Sequence, residues 1–223
     1  MSTNLAIQIN SIFAACILLT AFGLLVQRRM LGLVHVFALQ GLFLALSTAL
    51  VAYITGAHHL YISALLALLI KVIFIPYLLY RLIHKLKVQR EVEPLINLPA
   101  TMLLGIVIVV FSYYMTTSVS SASTMVTRST IALAMATVML GLLMMITRKK
   151  AITQTIGFLA LDNGLIFMTT SATSGMPLVV ELGIALDVLI AAVIFGIFFL
   201  HISSTFETLD LKEMETLRED TER

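Results

Sequence analysis

Charge is scarce in this chain. Only 12% of its 223 residues are Asp, Glu, Lys or Arg, against about 25% in a soluble domain. Hydrophobic residues make up 60% and the mean hydropathy is +1.04, a composition that belongs to a polytopic membrane protein. Cysteine is limited to Cys16, inside the first apolar stretch. That excludes a protein-held iron–sulfur cluster or a thiolate metal site, which need several cysteines at set spacing; Cys16 reads as packing. There is no Walker A loop, no dinucleotide-binding glycine motif and no cluster ligand set. The chain itself therefore harvests no energy from ATP or electrons, and protons driven through it take their force from a neighbour. The net charge of +2 is spread over short loops rather than one basic face, which excludes a nucleic-acid surface. The N-terminus lacks the basic start and small-residue cleavage site of a signal peptide, so the first span is expected to stay as a helix.

What the chain has instead is long apolar runs. A spanning helix needs about 20 mostly apolar residues, and seven windows qualify: Leu5–Val26, Leu31–Ile54, His59–Leu82, Leu98–Thr117, Thr130–Ile146, Thr153–Thr170 and Pro177–His201. The predicted fold is an all-α membrane protein, with a seven-helix domain over 1–208 and a cytoplasmic amphipathic tail over 209–223. Basic residues follow the first, third, fifth and seventh spans (Arg28 and Arg29; Arg81, Lys85, Lys87 and Arg90; Arg148, Lys149 and Lys150; Lys212, Arg218 and Arg223), whereas the other side holds only Arg128. The positive-inside rule then puts the N-terminus outside and the C-terminus in the cytoplasm. The segment Lys85–Pro99 reads as a linker with two prolines, and Ser118–Ser129 as a solvated outer loop.

Against this apolar background a few ionisable groups stand out. The last span carries Glu181 near one end and Asp187 near its middle; Asp162 sits midway along the preceding span and Lys71 midway along the third. Lys71 is twelve residues from His59 and ten from Arg81, Asp162 twelve from Lys150, and Asp187 ten from Pro177. At 1.5 Å per residue these are depths of about 15–18 Å, half of a roughly 30 Å hydrocarbon layer. A charge there costs roughly 2.5–3.5 kcal/mol on insertion scales, so three at one depth read first as a proton or ion path. Burial favours the neutral form of each group and a nearby opposite charge favours the charged form, so acids and a lysine that exchange partners can change protonation. A static ion pair pinning helices together is the alternative.

The surroundings of these groups favour a wet site. Gly183 and Ala191 flank Asp187, Ala64 and Ala67 lie on the face of Lys71, and Pro76 five residues later is expected to kink the helix and free a carbonyl. The same small faces also suit tight helix packing. Glu181 is either an exit group or a partner-facing polar contact. His35 is a proton relay or a hydrogen-bonded structural residue, and Gln40 and Asn163 are neutral groups at mid-depth able to hold water or bridge helices.

An internal echo links these positions. Arg28-Arg29 opens a helix that reaches Gln40-Gly41-Leu42, and Arg148-Lys149-Lys150 opens one that reaches Asn163-Gly164-Leu165. Each is followed by a returning helix with one mid-depth charge, Lys71 in the first case and Asp187 in the second. Residues 5–83 and 130–202 thus read as a possible parallel duplication of a three-helix unit, weak residue by residue, unlike the inverted repeats of many carriers.

Taken in order, Lys71-Val72-Ile73-Phe74-Ile75-Pro76, Asp162-Asn163-Gly164 and Val180-Glu181-Leu182-Gly183-Ile184-Ala185-Leu186-Asp187, with the tail from Thr208-Leu209-Asp210, resemble the hydrogenase-4 component E membrane subunits of complex I-like group 4 hydrogenases and formate hydrogenlyases. The likeness covers nearly the whole chain, and the second half is similar to the K subunit of respiratory complex I. It implies that Asp162 and Asp187 fill the roles of that subunit's two membrane glutamates, Asp162 being one methylene shorter. It further implies a non-catalytic subunit in a prokaryotic plasma (inner) membrane. Its partners would be antiporter-like membrane subunits, a connecting membrane subunit and a peripheral redox arm. No cofactor is expected in this chain, the nickel–iron and iron–sulfur centres belonging to that arm. Two alternatives stay open: a stand-alone secondary transporter for a small cation, and a purely structural assembly subunit.

Overall fold

In the computed structural model the described residues are 3–85, 95–119 and 125–173, together with Leu189 and Val193. The chain divides into two compact units, Met1–Ala185 and Leu186–Arg223, and the architecture below is that of the first. Apart from Leu189 and Val193, the expected seventh span Pro177–His201, with Glu181 and Asp187, lies outside the described residues, as do the tail 209–223 and most of the expected linker. Six of the expected spans are helices long and apolar enough to cross a membrane: Leu5–Val26, Met30–Thr55, Leu60–His84, Leu98–Thr116, Ser129–Thr147 and Ala151–Ser171. The described residues form no β-strand element.

The helices are α1 (Thr3–Val26), α2 (Met30–Thr55), α3 (His58–Ala67), α4 (Ile75–Lys85), α5 (Leu98–Val119), α6 (Met125–Thr147) and α7 (Ala151–Thr173). Between α3 and α4 the third span is wound as a π-helix over Leu68–Phe74, where Ile75 N–H reaches back five residues to Ile70 O. Pro76 supplies the reason. Its ring crowds the carbonyl four residues earlier and it has no N–H to offer, so the wider turn ahead of it accommodates both. The expected loop at Ser118–Ser129 is shorter than its polar composition suggested: α5 runs through Val119 and α6 begins at Met125. Helices continue past the apolar layer where their residues tolerate water, so the end of an apolar run is not the end of a helix.

Short turns set the topology. Residues 27–29 join α1 to α2, and residues 148–150 join α6 to α7. Between α2 and α3 the chain turns at Gly56, whose φ of +67° is the left-handed C-cap that glycine adopts without strain; Val51, Ala52 and Leu60 pack beneath that turn. The hairpin α1–α2 lies against the hairpin α6–α7, with α1 on α6 and α2 on α7. Arg148, at the end of α6, bonds the last carbonyls of α1, so those two helices run parallel, and α2 and α7 do likewise. Ala14, Ile17, Leu44, Ala134 and Phe167, one or two from each helix, fill the centre of this four-helix core. The third span packs on α2, and α5 lies outside α6 and α1. On α5 the residues Leu103, Ile106, Val110 and Tyr114 face outward, as suits a lipid-facing surface in a protein without a hydrophobic drive between helices.

Close packing takes the place of that drive between α6 and α7. A Cβ on Gly141 would sit 2.6 Å from Leu161 N, and one on Gly164 would sit 2.8 Å from Val138 N. Only glycine permits these backbones to come so near, and their approach fixes the rotation of α7 and hence where Asp162 points.

Candidate functional site

Lys71 lies in the π-helical segment and is fully buried. Its Nζ donates to Asp162 Oδ2 at 2.5 Å and to Asn163 Oδ1 at 2.8 Å, both on α7. The side chains of Lys71 and Asp162 are 0% and 2% exposed, which makes this an ion pair shut off from bulk solvent. Asp162 is the only Asp or Glu among the described residues, and its charge is balanced here rather than at a surface.

The network continues. Asn163 Nδ2 donates to Gln40 Oε1 at 3.1 Å, and Gln40 Nε2 points to Ile17 O at 3.5 Å. Four separate spans thus contribute to one line of polar groups: a carbonyl of α1, the Gln40 amide of α2, the Asn163 amide and Asp162 carboxylate of α7, and the Lys71 ammonium of the third span. Gln40 and Asn163 are themselves fully buried. Each group uses the others to satisfy hydrogen-bonding capacity that hydrocarbon cannot satisfy. Gly41 makes the arrangement possible from the α2 side, because a Cβ there would lie 3.1 Å from Lys71 Cβ and 3.5 Å from its carbonyl. The room expected around Lys71 for water is filled on that side by the α2 backbone.

Not every residue singled out from sequence joins this cluster. His35 is exposed and its Nδ1 lies 2.7 Å from Leu31 O of its own helix, apart from the network. Pro76 stands one residue into α4, half-buried, and shapes the π-segment rather than touching the ion pair. Glu181 and Asp187 lie outside the described residues.

Two polar features went unnoticed in the sequence. Ser47 Oγ donates to Asn10 Oδ1 at 2.6 Å, tying α1 to α2 two turns away from Gln40. Arg148 reads from sequence as one of three basic loop residues, yet it is only 2% exposed. Its Nη2 donates to Leu24 O, Leu25 O and Gln27 O at 3.2, 2.7 and 3.1 Å, while its own carbonyl accepts from Gln154 Nε2 at 2.9 Å. A cation suits the C-terminal end of α1, where unpaired carbonyls carry partial negative charge. Burial still holds its guanidinium below the ordinary arginine range. The one sequence signal is that Arg148 directly follows the last apolar turn, but nothing in an Arg-Lys-Lys run says which residue turns inward.

Chemically, the arrangement can hold a proton on either partner of the ion pair and pass hydrogen-bond polarity along two amides. The amides orient neighbours and neither gain nor lose a proton near neutral pH. Comparison with known proteins finds a relative from Mycobacterium tuberculosis, "Uncharacterized protein Rv0085", that is 32% identical over 220 residues, covering 98% of this chain and 99% of the relative. No family model and no solved structure matches the chain.

Proposed function

The chain belongs to the family of the mycobacterial protein Rv0085, and we propose that it is a membrane subunit of a complex I-like hydrogenase or oxidoreductase assembly. In this reading it lends buried charges to a proton route driven by redox chemistry in partner subunits. One observation carries the proposal: a lysine and an aspartate at mid-depth of an apolar bundle, sealed from solvent, paired at 2.5 Å and extended by two amides. Replacing a buried ion pair by well-packed apolar residues is often neutral or stabilising by about 1–4 kcal/mol. Stability is therefore a poor reason to keep one in hydrocarbon, whereas a proton path needs groups that change charge there.

In the full reading, Asp162 and Asp187 hold protons and Lys71 is the counter-charge that shifts their affinity. Gln40 and Asn163 organise the polar line between them, His35 stands apart from it at the α2 surface and has no part in the route, and Glu181 serves as an exit or contact group. The finer architecture belongs to the same proposal: a seventh span, an outside N-terminus, a cytoplasmic C-terminus, a parallel duplication, and a place in a prokaryotic plasma membrane. Two features support it. The hairpins α1–α2 and α6–α7 run in the same direction, and the basic turns after α1 and α6 lie at one end of the bundle. The proposed partners are antiporter-like subunits, a connecting membrane subunit and a redox arm carrying the nickel–iron and iron–sulfur centres.

Capture of the intact chain from native membranes in mild detergent would identify the assembly by its co-purifying subunits. Within that assembly, Asp162→Asn should lower proton translocation while the complex still forms. The seal around Lys71 favours one rival, a pair that only pins helices. Under that rival, translocation per assembled complex is unchanged and the defect is confined to assembly. Ion flux through the purified chain alone in vesicles would instead support a self-sufficient carrier.

A further inference from the structure

We propose that the two hairpin turns at the basic end of the bundle form one binding site for the phosphate of an anionic phospholipid headgroup. In sequence these turns are about 120 residues apart and look like two ordinary basic loops. The structure joins them: the Arg148 guanidinium reaches the Leu24 and Leu25 carbonyls at the end of α1 and the Gln27 carbonyl of the turn itself, all within 3.2 Å, so residues 27–29 and 148–150 are separated by no more than one arginine side chain. Arg148 is consumed by those carbonyls and is not itself available to a ligand. It sets the turn that carries Arg28 and Arg29 next to the turn that carries Lys149, and all three residues are exposed.

Depth selects the ligand. The apolar spans end at Val26 and Thr147 and resume at Met30 and Ala151, so the three cations stand within three residues of the hydrocarbon edge, at the level of lipid phosphates. Charge selects its sign. The two turns carry Arg28, Arg29, Arg148, Lys149 and Lys150 and no acidic residue. The turns also launch α2 and α7, whose first helical turns contain no acidic residue, and Arg29 at the N-cap of α2 makes no side-chain cap. The partial positive charge of those helix starts therefore adds to that of the side chains. Clustered lysines and arginines at a membrane surface recognise anionic lipid in this way.

The test uses the full chain in detergent, mixed with phosphatidylglycerol or phosphatidylcholine and read by native mass spectrometry. The wild type should retain phosphatidylglycerol in preference to phosphatidylcholine. The variant R28Q/R29Q/K149Q should bind it on the order of 100-fold more weakly, from about fivefold per cation, and the charge-conserving R28K/R29K/K149R should stay within a few-fold of wild type. Should the triple neutral variant fail to fold, R28Q and R29Q singly should each show the fivefold loss. Equal retention of both lipids by the wild type, or undiminished retention by the neutral variants, overturns the proposal. Displacement of phosphatidylglycerol by millimolar inorganic phosphate overturns it in favour of a soluble anion, and its displacement by an acidic peptide overturns it in favour of a protein partner.

Discussion

Removing one member of the Lys71–Asp162 pair is the sharpest perturbation available. At 2.5 Å and an effective dielectric near 20, their attraction is about 7 kcal/mol. Most of that is offset by the desolvation of two ions, so the pair contributes little compared with an apolar core. A single substitution is different, because it leaves the other charge stranded. Asp162→Asn leaves the ammonium with Asn163 and a neutral amide, and Lys71→Met leaves a carboxylate without its cation. Losses of about 3–5 kcal/mol are expected for breaking a buried pair this way. For a chain of this length, thermal unfolding in detergent should shift down by roughly 6–20 °C, from about 2–4 °C per kcal/mol. The double variant strands no charge, so it should be more stable than the sum of the single losses implies, by at least about 2 kcal/mol. The four proteins compared in one detergent provide a double-mutant cycle. If the two single losses add in the double variant to within about 0.5 kcal/mol, the groups are energetically independent, and the ion pair cannot be the centre of the site.

Arg148→Ala should destabilise by about 2–4 kcal/mol in a denaturation assay, since charge-assisted bonds to three carbonyls are lost; Arg148→Lys should restore only part, because one ammonium reaches fewer of them. Gly141→Ala should cost more than Gly41→Ala on the same assay. The first forces Leu161 backbone at 2.6 Å to move, while the second asks only a few tenths of an ångström of Lys71, within an overpacking range of about 1–3 kcal/mol. Gln40→Leu removes the acceptor of Asn163 Nδ2, costing about 1–3 kcal/mol, and under the proposed route should also lower proton translocation in complexes that still assemble. His35→Ala should change stability by no more than about 0.5 kcal/mol, as its side chain is exposed and bonded to its own helix.

Much of the scaffold was legible without coordinates. The apolar windows are set by the thickness of hydrocarbon, a requirement that acts on one segment at a time, so each described span could be read locally to within a few residues. Lys71, Asp162, Gln40 and Asn163 were conspicuous for a similarly local reason: polar groups in apolar runs cost energy wherever those runs pack. Sequence could not show that these four share one network. Lys71 and Asp162 are 91 positions apart and Asn163 and Gln40 are 123, and their contact depends on which helices neighbour one another and how each is rotated. Backbone approaches decide those matters, such as Gly141 on Leu161 and Gly41 on Lys71, together with the π-helical widening ahead of Pro76. The inward turn of Arg148 is likewise a tertiary fact, since the carbonyls that draw it belong to a helix more than a hundred residues earlier. Solvent requirements are written into each segment of the chain, whereas the pairing of charges exists only once separate segments lie side by side.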